Sequence, residues 1–137
     1  MVLQRRRAQV LKTVPLFARC SGSQLSDIAA ISYEKEFPAD TELIREGDPS
    51  GSFFVLLEGG AEVSVRGEKV RTLGPGDFAG EIALIAHGPR TASVRTTIPV
   101  RSLVIPGPKF RALLGRQPEV QLMVLAALAE RVPAAAR

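Results

Sequence analysis

Three residues whose types and spacing can do chemistry stand close together: Gly80, Glu81 and Arg90, in the run Gly76-Asp-Phe-Ala-Gly-Glu-Ile-Ala-Leu-Ile-Ala-His-Gly-Pro-Arg-Thr-Ala-Ser-Val94. From Glu81 to Ala86 there is no turn residue and the helix formers are good, so a single helical turn is expected there. A helix N-terminus presents N–H groups without internal partners and a partial positive charge, and together these attract an anion. Arg90, held opposite that terminus at the start of a strand, would clamp a phosphate with charge-assisted hydrogen bonds. Glu81 is itself an anion and is repelled by phosphate; it can instead accept from a hydroxyl beside the phosphate, such as a ribose 2′-OH. Gly80 removes a Cβ where ligand and backbone must come close. Anion cradle, guanidinium and hydroxyl-reading carboxylate describe a ribose ring fused to a phosphate.

Composition excludes most rivals to that chemistry. His87 is the only histidine and Cys20 the only cysteine, so a multi-histidine metal centre, a cysteine-rich zinc site and a disulfide framework are ruled out. No catalytic residue and no metal ligand is assigned, and the expectation is a non-enzyme. Cys20 reads as a packing residue and His87 as exposed. The 18 Lys and Arg against 14 Asp and Glu leave +4, a mild excess. Its single run of like charge, Arg5 to Arg7, reads as a solvated helix face and is a weak footprint for nucleic acid, so no nucleic-acid partner is expected. Hydrophobic residues at 45% and charged ones at 23% suit a globular chain. No apolar run approaches the roughly 20 residues of a membrane span, and no apolar segment follows the basic Met1–Arg7 stretch as a secretory signal requires. A cytoplasmic location is expected.

The elements that must position the three residues fall in three regions of one domain, 1–137. Residues 1–32 are helical: Leu3, Val10, Leu11 and Val14 keep helical spacing until Pro15, and Ser21-Gly-Ser-Gln24 fits a capping box ahead of Leu25, Ile28 and Ala29. Residues 33–105 read as short strands with Gly-rich turns, which argues for a sandwich, jelly roll or barrel. Among them are Tyr33 to Phe37, Thr41 to Glu46, Ser52 to Val65 and Val70 to Leu73. Ala92 to Ile98 and Val100 to Ile105 are expected as separate strands divided by Pro99. Residues 108–132 are helical again: Pro108 starts a helix that Gly115 is placed to end, and Pro118 opens a second. That last helix is apolar on nearly every side, through Val120, Met123, Val124, Ala127 and Leu128 and also Leu122, Leu125, Ala126 and Ala129. One face must be covered by something other than its own sheet.

Residues 76–94 resemble the phosphate-binding cassette of the cyclic nucleotide-binding domain family, found in cyclic-AMP-dependent kinase regulatory subunits, catabolite-activator-type regulators and cyclic-nucleotide-gated channels. The resemblance extends to Leu11-Lys-Thr-Val-Pro-Leu-Phe17, to the Ile44-Arg-Glu-Gly-Asp48 loop, to Phe54-Val-Leu-Leu-Glu-Gly59 and to the two C-terminal helices. It implies an α+β fold: a jelly-roll-type β-roll of about eight strands, flanked by N-terminal helices and two C-terminal helices, with the short cassette helix inside. It also implies that Glu81 reads the ribose 2′-OH, that Arg90 binds the cyclic phosphate, and that Gly80, Ile82, Ala83, Thr91 and Ala92 complete the ligand-binding set. The ligand is then cAMP or cGMP, with no further cofactor. Thr91 bears on base choice, since a hydroxyl there resembles cyclic-GMP-selective sites, but Ser or Thr also occurs in cyclic-AMP sites, and cAMP is preferred.

Two departures from the family pattern stand out. Where relatives carry an aromatic before the Gly-Glu pair this chain has Ala79, and Phe78 is expected to fill that space. No aromatic follows Phe110, so a base cap is aliphatic, Leu122 or Leu125, or missing. The expected partners are the cyclic nucleotide, an effector domain or protein on the C-terminal helix, and a second copy of the chain. A membrane enters only indirectly, through a channel or transporter. The rival reading is a ligand-free member of the family that serves for docking or dimerisation.

Overall fold

The computed structural model describes residues 2–49, 51–80 and 88–131. The expected helical turn at 81–86, the candidate ligands Glu81, Ile82 and Ala83, His87 and the tail 133–137 lie outside the described residues, as do the side chains of Leu3, Ala127 and Leu128.

Helix α1 (Val2–Lys12) is followed by one 3-10 turn, Pro15–Phe17, and by helix α2 (Gly22–Ala30). The capping box at α2 is formed: Gln24 N–H donates to Ser21 Oγ at 3.2 Å, and Ser21 N–H donates to Gln24 Oε1 at 2.8 Å. Both bonds satisfy N–H groups that the helix itself cannot. The stripe Leu25, Ile28 and Ala29 is buried as its spacing predicts. Two side chains staple α1 across to α2 and the residue beyond it. Gln4 Nε2 donates to the Ser26 carbonyl at 3.0 Å, and Arg7 Nη1 donates to the Ser32 carbonyl at 3.0 Å. Arg5 and Arg6 are exposed, but Arg7 is half-buried, so the arginine run is not a wholly solvated face.

Six antiparallel strands are described: β1 (Tyr33–Phe37), β2 (Glu42–Ile44), β3 (Phe53–Val65), β4 (Glu68–Leu73), β5 (Phe78–Ala79) and β6 (Ser93–Ile105). The long strands β3 and β6 pair along their whole length, from Phe53↔Ile105 to Ser64↔Ser93. One end of this ladder is flanked by β1 on β6 and β5 on β3; the other by β2 on β6 and β4 on β3. The separate strands expected on either side of Pro99 are therefore one strand. Proline has no N–H for the ladder, yet it is accommodated because the register breaks there. The ladder skips between Leu56 and Ala61, and Gly59 takes φ +99°. A Cβ on Gly59 would collide with the Pro99 carbonyl and lie 2.8 Å from Val100 Cα. This close approach coincides with the register shifts of the ladder, the kind of irregularity that bends a strand.

Period-two alternation then sorts the side chains into two cores. Phe53, Val55, Leu103 and Ile105 face the helices and pack with Leu11, Leu16, Phe17, Ile28, Phe110, Val120 and Val124. Phe54, Leu56, Val100 and Val104 face the inside of the roll with Ile44, Ala61, Leu73 and Val94. Helix α3 (Gly107–Arg116), with proline in its first turn, drives Phe110 against Phe17, ring centroids 5.9 Å apart. Gly115 falls inside the last turn of α3 rather than beyond it. Helix α4 (Pro118–Arg131) buries Val120 and Val124 and leaves Leu122 64% and Leu125 44% exposed. Among the described residues its two-sided apolar pattern thus leaves Leu122 and Leu125 uncovered, as expected. No described helix is long and apolar enough to cross a membrane.

Candidate functional site

The site is assembled where β5 ends, where the β2–β3 loop returns, and where the chain enters β6. Strand β5 is two residues long and pairs Ala79 with Phe54 and Phe78 with Val55. These neighbours point to opposite sides of the sheet. Ala79 joins the core inside the roll, while Phe78 joins the helix-side core, its ring 5.9 Å from Phe53. Phe78 therefore does not fill the space before the Gly-Glu pair, because one step along a strand reverses the side-chain direction.

Directly after Ala79 the backbone turns through Gly80 at φ +87°, a conformation that side-chain-bearing residues avoid. Space excludes a side chain here as well. A Cβ would lie 2.7 Å from Arg90 Nη1, 2.9 Å from the Ser52 carbonyl oxygen and 3.3 Å from Ile44 Cδ1. The sequence placed a ligand against the missing Cβ of Gly80; what the structure places there is the Arg90 head and the Ser52 carbonyl, at a positive φ that the residue type alone did not announce.

Arg90 is fixed at both its backbone and its head. Its N–H donates to the Asp48 carbonyl at 2.7 Å, and its carbonyl accepts from Gly47 N–H at 2.8 Å. A bridge between Pro49 and Pro89 continues that pairing. Next along the chain, Ser93 Oγ accepts from Glu46 N–H at 2.9 Å. The guanidinium reaches back over Gly80: Nη2 donates to the Ser52 carbonyl at 2.5 Å and Nη1 to the Gly80 carbonyl at 3.5 Å. Among the described residues its hydrogen-bond acceptors are these two neutral carbonyls. Burial of the half-covered head lowers its pKa from the ordinary arginine value, because desolvation disfavours the charged form. Among the described residues, the cation is thus oriented by backbone carbonyls.

The described part of the predicted set is thus brought together in part. Gly80 and Arg90 touch; Thr91 follows, exposed, and Ala92 is half-buried one residue before β6. Sequence reasoning missed Ser52 and the Glu46–Asp48 backbone as the groups that aim Arg90. The run Glu46-Gly-Asp-Pro-Ser-Gly51 was legible only as a loop, since a backbone carbonyl leaves no mark in residue type.

Comparison with known proteins gives the family. The family profile described as "Cyclic nucleotide-binding domain" matches residues 34–117, and the chain belongs to that family. It is 37% identical over 116 residues to a cAMP-dependent protein kinase regulatory subunit of Emericella nidulans, covering 82% of this chain and 28% of that protein. A cyclic nucleotide-gated potassium channel of Mesorhizobium japonicum is 34% identical over 131 residues, 96% of this chain and 36% of the channel. The chain therefore spans about a third or less of these relatives. Among solved structures, the N-terminal domain of a transcriptional regulator from Streptomyces coelicolor A3(2) superposes with a TM-score of 0.79 at 30% identity, over 89% of this chain and 91% of that one.

Proposed function

We propose that the chain is a non-enzymatic, cytoplasmic sensor module that binds a 3′,5′-cyclic nucleotide, cAMP in preference to cGMP, and passes the event to an effector domain or partner protein through α3 and α4. The observation that carries this reading is the half-buried Arg90 guanidinium, held over Gly80 with only carbonyl acceptors among the described residues. A cyclic phosphate would exchange those neutral acceptors for an anion that the arginine fork fits. The kinase regulatory subunit among the relatives supports the choice of cAMP. Glu81 is assigned the ribose 2′-OH, the backbone of Ile82 and Ala83 the phosphate beside Gly80, and Thr91 and Ala92 the far rim. No cofactor beyond the nucleotide is required.

The transmission step is a shift between two populations. The Arg90 contacts to the Ser52 and Gly80 carbonyls are the ones a bound phosphate would compete with. Bound phosphate draws the 81–86 segment and Arg90 together, Leu84 repacks, and α3 and α4 swing so that α4 closes over the base. Exposed Leu122 and Leu125 on α4 are the available aliphatic caps. They are also the surface a second copy or an effector would cover.

Equilibrium dialysis with labelled cAMP, competed by unlabelled cGMP, 2′-deoxy-cAMP and the acyclic 5′-AMP, tests the ligand class. Saturable binding is expected, displaced best by cAMP, less by cGMP and the 2′-deoxy analogue, and not by 5′-AMP. Full-strength displacement by the 2′-deoxy analogue would remove the ribose role from Glu81. No retention of label by the folded chain would favour the docking or dimerisation reading instead.

A further inference from the structure

The contact that links Arg90 to the C-terminal helices lies outside the ligand-binding set. The β3–β6 ladder ends with Phe53 opposite Ile105. Two residues further out on each side stand Gly51 and Gly107, and the close approach continues between them. A Cβ on Gly107 would lie 2.5 Å from the Gly51 carbonyl oxygen and 3.3 Å from its carbonyl carbon. Gly107 is buried and is the first residue of α3. Gly51, for its part, sits against the arginine: a Cβ there would be 3.5 Å from Arg90 Nη2. The next carbonyl along, that of Ser52, accepts from the same Nη2.

We infer that Gly107 is a positioning residue for Arg90, acting through the Gly51–Ser52 backbone, and that this glycine pair is the joint by which α3 and the arginine sense each other. The inference rests on the proposed cyclic nucleotide function for its ligand readout, but its geometry is independent of that reading. Arg111 Nη1, 3.0 Å from the Cβ position on Gly107, is the end of a flexible side chain and can give way, but the nearer contact with the Gly51 carbonyl is backbone against backbone and cannot. Movement of the α3 N-terminus therefore moves Gly51, and with it the carbonyl that holds the guanidinium. The converse follows by reciprocity of coupling: when an anion takes Arg90 away from Ser52, Gly51 is released and the start of α3 is freed to move. A methyl group at Gly107 has to displace the Gly51 carbonyl, whereas one at Gly115, in the same helix, meets nothing within 4 Å.

The test is made on the whole chain with Gly107→Ala and, as a control for helix propensity, Gly115→Ala. In the ligand-free protein the Arg90 Nε–H resonance is expected to move in Gly107→Ala and to stay in place in Gly115→Ala. Titration with cAMP should show at least a fivefold loss of affinity in the first variant and none in the second. A folded Gly107→Ala with the Arg90 resonance and affinity of the control overturns the inference. If Gly107→Ala fails to fold, Arg90→Lys is read at the Gly107 amide, where a shift supports the joint and an unmoved resonance refutes it. Should the wild-type chain bind no cyclic nucleotide, the functional reading fails, while the ligand-free resonances still decide the joint.

Discussion

At the scale of single residues, the described part of the site joins one side chain, that of Arg90, to one missing Cβ, at Gly80. Gly80 and Gly76 share a positive φ, +87° and +88°, but a Cβ on Gly76 would meet nothing within 4 Å. Gly76→Ala should therefore cost only the left-handed strain of ~1–2 kcal/mol and leave nucleotide affinity unchanged. Gly80→Ala pays the same strain and also drives a methyl group into Arg90 and the Ser52 carbonyl. It should weaken cAMP binding at least tenfold, and parallel urea melts and titrations separate the two effects. Cys20 is half-buried, and desolvation raises its thiol pKa above the ordinary value. The folded chain then holds its proton to higher pH than the unfolded one. Stability should fall as pH rises past the unfolded thiol's pKa, and alkylation of Cys20 should reach half its limiting rate at a higher pH than in a short cysteine peptide. Gly80 and Arg90 were legible because type and spacing carried them. Ser52 was not, since it acts through a carbonyl that every residue possesses.

At the scale of elements, local signals read well and long-range register did not. Ser21 and Gln24 announce α2 from four consecutive residues, and Ser21→Ala should cost ~1 kcal/mol in thermal or chemical denaturation. Strand β5, two residues long, has no pattern to read. Pro99 misled more directly, because proline normally ends a strand, whereas here the bend at Gly59 accommodates it 40 positions away in sequence. Gly59→Ala tests that pairing. It combines a positive φ with a collision against the Pro99 carbonyl and Val100, so a loss of about 2–5 kcal/mol is expected. A loss under 1 kcal/mol would mean that the bend forms without the close approach.

At the scale of the whole molecule, two cores share the β3–β6 ladder, one under the helices and one inside the roll. The helix-side core ties α3 to the sheet through Phe110 and Phe17, and Gln117 Nε2 donates to Asp27 Oδ2 at 2.7 Å, pinning the α3–α4 corner to α2. A ligand that closes this assembly should raise its stability by mass action, by ~2.7 kcal/mol at a hundredfold excess over the dissociation constant. An upward shift of the melting temperature with cAMP concentration is the expected sign. The α+β class and the division into helices, roll and helices were readable from punctuation and periodicity, and the family from the 76–94 segment. The layering of the two cores was not, because it depends on where two 13-residue strands bend. The most direct measurement is calorimetric titration of the whole chain and of Arg90→Ala with cAMP. One-to-one binding at micromolar affinity or tighter is predicted for the wild type. The variant should bind at least a hundredfold more weakly, because it loses the charge-assisted hydrogen bonds of the guanidinium fork to the phosphate. A folded wild type that gives no heat, or an Arg90→Ala variant of equal affinity, would contradict the account.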